Sequence, residues 1–185
     1  MYRITLTLVV AVCLLPTAFC RCAEAQDDSY TARIVTGSTS AQQIQFTFTI
    51  TKYTTEAELK ELAAILKNQG QDALIEAMKK REAGRIYKLG DTGNEIAVAE
   101  KIQSGKDTII TMATARRISV TELSRKAQHA DYPLGFLQVT LNEKGEGTGK
   151  MLTAAKIKFS EKKGHMEIEP LGTGYTKVTN VAPNK

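Results

Sequence analysis

The chain predicts an α+β protein that is mainly antiparallel β: a sandwich or half-open barrel, with a helical pair inserted after the first long strand and a short helix before a C-terminal meander. Three observations carry that expectation. Ile44, Phe46, Phe48 and Ile50 alternate with Gln45, Thr47, Thr49 and Thr51, the period of a strand with one apolar and one hydroxyl-rich face. Two capping boxes, Thr55 to Glu58 and Ser119 to Glu122, each open a stretch of helical spacing. The last third breaks into apolar runs separated by turns around Gly145, Gly164 and Gly172.

Before the first strand lies a segment of another kind. Arg3 and the apolar run Ile4 to Leu15, interrupted only by Thr5 and Thr7, match an export signal and are too short to span a bilayer. Pro16 ends the run, and Ala23-Glu24-Ala25 offers the small residues that a signal peptidase pocket accepts. Residues 1–25 therefore read as a signal peptide and 26–185 as a single exported domain, periplasmic or extracellular, with no later membrane span. Cys13, Cys20 and Cys22 are all the cysteines, so cleavage leaves a chain without disulfides, thiol nucleophile, redox pair or thiolate zinc site. Acylation of Cys20 stays open as an alternative, although Phe19 before it and Arg21 after it fit a lipidation site poorly.

Downstream of the first strand, Thr55 caps a helix in which Leu59, Leu62, Ala63 and Leu66 share a face and Gly70 ends the run. A second helix is expected over Asp72 to Arg81, with Leu74, Ile75 and Met78 apolar and Glu76 paired to Lys80. Arg85 to Leu89 is a short strand, Asp91-Thr92-Gly93-Asn94 a turn, and Ile96, Val98 and Ile102 one face of the next strand. Ser104-Gly105-Lys106 forms a hairpin tip whose return strand is Thr108 to Ala115. Val120, Leu123 and Ala127 line the short helix, which stops before Pro133. The meander strands are Phe136 to Leu141, Met151 to Phe159, His165 to Ile168 and Tyr175 to Val181.

Charge and motifs exclude more than they select. The net charge is +5, from 25 basic and 20 acidic residues; losing Arg3, Arg21 and Glu24 leaves 23 and 19, a net +4. The pairs Lys79-Lys80, Arg116-Arg117 and Lys162-Lys163 have acidic neighbours or flank turns, so they read as a solvated surface and no nucleic-acid partner is expected. Gly145 to Lys150 superficially resembles a phosphate loop, but three residues rather than four separate Gly145 from Gly149, and Met151 stands where magnesium would need a hydroxyl. A hairpin turn explains it better. Asp91 to Glu95 offers oxygens for calcium but lacks EF-hand spacing, so an Asx turn is the simpler reading.

His129, Asp131 and Tyr132 form the single cluster of titratable residues that could carry catalysis, with histidine as general base beside a carboxylate. The plainer reading places His129 in the last turn of the short helix, where a cation complements the dipole. Two histidines cannot build a three-histidine metal site, no G-x-S-x-G occurs, and no cofactor or metal is expected.

The stretch from His129 to Phe159, "HADYPLGFLQVTLNEKGEGTGKMLTAAKIKF", with "IITMATARRISVTEL" and "FTFTITKYTTEAELKELAAIL", resembles a group of uncharacterised secreted proteins of Acidobacteria from about Ile44 to Val181. In that group "TDRPI" often precedes the short helix and "DYPF" the next strand; here they read "TARRI", Thr114 to Ile118, and "DYPL", Asp131 to Leu134. Tyr53 stands where the group commonly has tryptophan. The resemblance implies export and one domain, and it carries no catalytic or binding residue across.

Taken together these features lead to an exported, non-catalytic protein that binds or scaffolds, its partner an unknown envelope protein. The alternative is a small apolar-ligand carrier in which Phe46, Phe48, Leu59, Leu62, Phe136 and Phe159 line a cavity. An envelope hydrolase using His129 and Asp131 is the third reading.

Overall fold

The computed structural model describes residues 27–36, 42–118, 132–160, 165–172 and 174–184. Among them the elements run β1 (Asp28–Thr36), β2 (Gln42–Ile50), α1 (Glu56–Met78), β3 (Gly84–Tyr87), β4 (Asn94–Ile96), β5 (Val98–Ser104), β6 (Asp107–Thr114), β7 (Leu134–Leu141), β8 (Gly147–Ser160), β9 (His165–Pro170) and β10 (Thr176–Pro183). Every pairing is antiparallel, and the sheet follows the path β4-β3-β2-β1-β10-β8-β7-β6-β5, with β9 attached to β8.

The two ends of that path are neighbours in sequence. Ala97 alone separates β4 from β5; its N–H donates to Ala113 O of β6 at 2.9 Å, while Ile96 O accepts the Ala83 N–H at 2.7 Å. The sheet thus curls round on itself into a nearly closed barrel, which decides between the two architectures expected. Thr54 seals the seam: its N–H donates to Ala99 O at 2.7 Å and its hydroxyl accepts the Ala99 N–H at 3.0 Å. Closure of this kind leaves few unpaired strand groups to satisfy.

Alternation fills the interior. Tyr30, Ala32 and Ile34 of β1 face inward with Phe46, Phe48 and Ile50 of β2, and Ile110, Met112, Leu137 and Val139 come from the far wall. Tyr30 and Phe48 stack with centroids 5.2 Å apart, and Phe46 lies 6.4 Å from Phe48. Burying each of these large side chains is worth roughly 1.5–3 kcal/mol. Gly147 lets β8 press against β7: a Cβ there would sit 1.8 Å from Thr140 O.

A second core lies between α1 and the sheet. Leu62, Leu66, Leu74, Ile75 and Met78 pack on Ala97, Ala113, Leu134 and Ile157. One bulge makes this possible. Phe136 pairs with Leu152 but Leu134 pairs with Ala155, so β8 carries one extra residue, and its alternation changes face. Met151 therefore points into the barrel, whereas Ile157 belongs to the core beneath α1. At the bulge Thr153 O accepts the Ile118 N–H at 3.0 Å and Ala154 O accepts the Leu171 N–H at 2.9 Å. Beyond it, Gln71 Oε1 of α1 accepts the Ile157 N–H at 2.9 Å, so a helix side chain substitutes for a strand partner.

The expected helical pair is one helix. The capping box forms as read, with Thr55 Oγ1 accepting the Glu58 N–H at 3.3 Å and Glu58 Oε2 accepting the Thr55 N–H at 2.8 Å. Gly70 does not end the run; it sits inside α1 as a kink at φ 85°, ψ −174°. Leu74, Ile75 and Met78 beyond it are buried with Leu62 and Leu66, so packing on the sheet carries the helix through. Glu76 pairs with Lys79 at 2.6 Å rather than with Lys80. The expected short helix over 119–131 lies outside the described residues. β1 is an addition, since no strand was expected over 28–36.

Candidate functional site

Asp28 is the first residue of β1 and lies opposite Ile50, on the inward series of Tyr30, Ala32 and Ile34. Lys101 of β5 shares the inward parity of Ala99 and lies opposite Ile110. The two meet at the barrel rim: Lys101 Nζ is 2.9 Å from Asp28 Oδ2, and the Tyr53 hydroxyl donates to the same oxygen. Lys101 Nζ also lies 5.2 Å from the Tyr53 ring centroid. Burial pushes the Asp28 carboxyl upward, but the Tyr53 hydroxyl and the Lys101 ammonium outweigh it and hold the group below its ordinary range. Burial, then the hydrogen bond to Asp28 and its charge, drive the Tyr53 phenol well above its usual value. The cluster holds a fixed carboxylate and a fixed phenol, so it clamps and does not exchange protons near neutrality.

A second trio repeats the pattern elsewhere. The Tyr132 hydroxyl donates to Glu169 Oε1 at 2.9 Å, Lys156 Nζ lies 3.1 Å from the same oxygen, and Lys156 Nζ is 5.1 Å from the Tyr132 ring centroid. Lys158 approaches Glu169 Oε2 at 3.6 Å, and Arg117 Nε donates to Tyr132 O at 2.9 Å. The hydrogen bond from Lys156, then that from Tyr132, lowers the Glu169 carboxyl, while Glu169 raises Lys156. Tyr132 is thus placed by the structure, whereas His129 and Asp131 lie outside the described residues.

The third feature is a trough along the seam between α1 and the barrel. One side, about 250 Å³, is lined by Lys52, Thr54, Glu58, Lys80, Arg81, Glu82, Ala83 and Ala97. The other, about 190 Å³, is lined by Met78, Lys79, Arg81, Glu95, Ala97, Ala115 and Arg116. Arg81 and Ala97 belong to both. Arg81 is held by Glu61 at 2.8 Å and Glu58 at 3.5 Å, and Lys52 reaches Glu58 at 3.0 Å. The Thr55 backbone N–H, followed by Lys52 and the Thr55 hydroxyl, pulls the Glu58 carboxyl down to about 2. Met78, Ala83 and Ala97 give the trough a buried apolar floor beneath charged walls in which Lys52, Glu58 and Arg81 are ion-paired.

The remaining sequence motifs resolve simply. Asn142 Oδ1 accepts the N–H groups of Lys144 at 2.9 Å and Glu146 at 3.1 Å, making the Gly145 segment the β7–β8 hairpin turn. Asp91 Oδ1 accepts the Gly93 N–H at 3.4 Å, an Asx turn, and Gly93 O accepts from Arg116 at 2.6 Å. Among the described residues no three His, Cys, Asp or Glu gather as metal ligands, and no helix is long and apolar enough to cross a membrane. The six residues expected to line one apolar cavity do not converge: Phe46 and Phe48 lie in the barrel core, Leu62, Phe136 and Phe159 belong to the core beneath α1, and Leu59 is in neither.

The rim clamp and the Arg81 trough were not anticipated, because their residues come from segments far apart in the chain. Tyr53, Glu58, Met78, Lys79-Lys80, Glu95 and Arg116 stand out in the sequence, each for a reason other than these contacts. No family model, curated protein or solved structure matches the chain.

Proposed function

We propose that the protein is exported and acts by binding an envelope component, without catalysis, through the trough beside Arg81. The observation that carries this reading is the trough itself: an open groove over a buried floor, in which Lys52, Glu58 and Arg81 are already held by ion pairs. Preorganised charge of this kind favours recognition, because little side-chain ordering remains to be done on binding. The export half rests on Arg3, the apolar run Ile4 to Leu15 and Ala23-Glu24-Ala25, and on the resemblance to secreted acidobacterial proteins. Cleavage before Gln26 leaves β1 whole, since the strand begins at Asp28. The apolar-carrier alternative gains no support, because its lining residues are split between two cores.

Site-specific photocrosslinking tests the binding half. A photoreactive residue at Lys80 or Glu82 is expected to give one discrete adduct in cells, whereas the same residue at Lys144 on the β7–β8 turn gives none. Absence of an adduct at both trough positions sinks the proposal. The mass of the envelope form tests export, with Gln26 expected as its first residue.

A further inference from the structure

Cross-strand register sets Lys177 of β10 directly opposite Lys150 of β8. Both are exposed, and each is followed by a core residue, Val178 or Met151, so both lysines stand on the outer face of the barrel. Like charges directly opposed on antiparallel neighbours are destabilising. Among the described residues neither ammonium has a carboxylate partner. On its other side Lys150 faces the neutral Gln138 of β7, and exposed Arg33 adds a third cation opposite Thr179, two residues along from Lys177.

Beside this pair is an exposed ring. Tyr175 keeps 56% of its surface in solvent and lies under Lys150, whose Nζ is 4.7 Å from the ring centroid. An unpaired cation pair, an open aromatic surface, an amide and the exposed hydroxyl of Thr148 share one face of three adjacent strands.

We propose that this face binds an acidic polysaccharide, with a uronate carboxylate bridging Lys150 and Lys177 and a sugar ring packed on Tyr175. The carboxylate removes the repulsion that the register creates, and charge-assisted hydrogen bonds to it are stronger than neutral ones. Gln138 and Thr148 match sugar hydroxyls. A polynucleotide fits less well, because successive bases call for several stacking rings and a charged track, and among the described residues the exposed ring on this face is Tyr175. An anionic membrane fits less well too, because among the described residues the aliphatic side chain nearest the pair on β8, Leu152, is partly buried rather than open for insertion. None of these residues belongs to the Arg81 trough, so the two proposals stand or fall separately.

Affinity electrophoresis of the purified protein through gels containing polygalacturonate, with dextran as the neutral control, tests the idea. Polygalacturonate is expected to retard the protein and dextran is not, with retardation weakening as salt is added. The double variant Lys150→Gln, Lys177→Gln is expected to lose at least about tenfold in affinity, and Tyr175→Ala several-fold at unchanged charge. Because the double variant removes a repulsion, it is expected to melt no lower than the parent, which separates lost binding from lost fold. Equal retardation by dextran, undiminished retardation of the double variant, or tighter binding to single-stranded DNA or anionic lipid vesicles overturns the proposal.

Discussion

The carboxylate of Asp28, at the start of β1, takes the ammonium of Lys101 of β5 at 2.9 Å across one rim of the barrel, although 73 residues separate them. Tyr53 closes the contact from the segment between β2 and α1. Three pieces of chain are thereby tied at the point where the sheet meets itself.

Breaking this clamp is expected to destabilise the barrel without abolishing it. Asp28→Asn removes the charge that both neighbours use and is expected to cost about 1–2 kcal/mol, Tyr53→Phe about 1 kcal/mol. Lys101→Met is expected to cost less than about 1 kcal/mol, because Lys101 is partly solvated and screened. A urea-denaturation double-mutant cycle between Asp28→Asn and Tyr53→Phe is expected to show coupling above about 0.5 kcal/mol. Strict additivity would mean that the hydrogen bond is not shared in solution.

The same groups fix a pH dependence. Asp28, Glu58 and Glu169 have folded values below their ordinary 3.8 or 4.5, Glu58 down to about 2. In that acid window the unfolded chain binds more protons, so stability is fully present above the ordinary values and falls as pH drops through the folded ones. Tyr30 and Tyr53 are raised above 10.0, so their contribution is present below that value and is lost at higher pH. Denaturant midpoints are expected to decline on both sides of a neutral plateau. A midpoint that rises on acidification below the ordinary carboxylate range contradicts the assignment.

Two glycines are expected to respond differently to alanine. At Gly147 the new methyl would meet Thr140 O at 1.8 Å, so β7 and β8 must separate, and a loss above about 3 kcal/mol is expected. At Gly70 nothing lies within 4 Å of the added Cβ, and only the backbone conformation at φ 85°, ψ −174° opposes it, at a cost of about 1–3 kcal/mol. Thermal melts that rank the two variants the other way would show that the strand approach relaxes easily.

Gln71→Leu is expected to cost about 1–3 kcal/mol, because it orphans the Ile157 N–H beneath α1. Hydrogen exchange locates the effect: faster exchange is expected at Ile157 and its neighbours on β8, with the β1–β2 pairing unchanged. Uniform acceleration across the barrel would instead make Gln71 a global support.

Local patterns in the chain disclosed the parts that are local. β2 follows from its strict alternation, the start of α1 from Thr55 and Glu58, and the β5–β6 and β7–β8 hairpins from their glycine turns. β1 escaped notice even though Tyr30, Ala32 and Ile34 alternate with Ser29, Thr31 and Arg33, because Ala32 is small and Tyr30 carries a polar tip, which mutes the apolar face. The end of the first expected helix failed because Gly70 breaks a local pattern, whereas burial of Leu74, Ile75 and Met78 is decided by the sheet opposite. The change of face in β8 depends on how it registers against β7, which no run of residues within β8 encodes. Asp28 and Lys101, like Lys150 and Lys177, acquire meaning only once strands are paired.

The pairing of β1 with β10 sets a timetable as well as a shape. The first strand of the barrel finds its second neighbour only in Thr176–Pro183, so the ring cannot close until synthesis has passed those residues. A growing chain held open in this way stays unclosed until Thr176–Pro183 has emerged, which suits the exported route proposed above. Truncation before Thr176 is accordingly expected to leave a chain that is made and recognised by proteases but never acquires protected β1 amides, measured by hydrogen exchange.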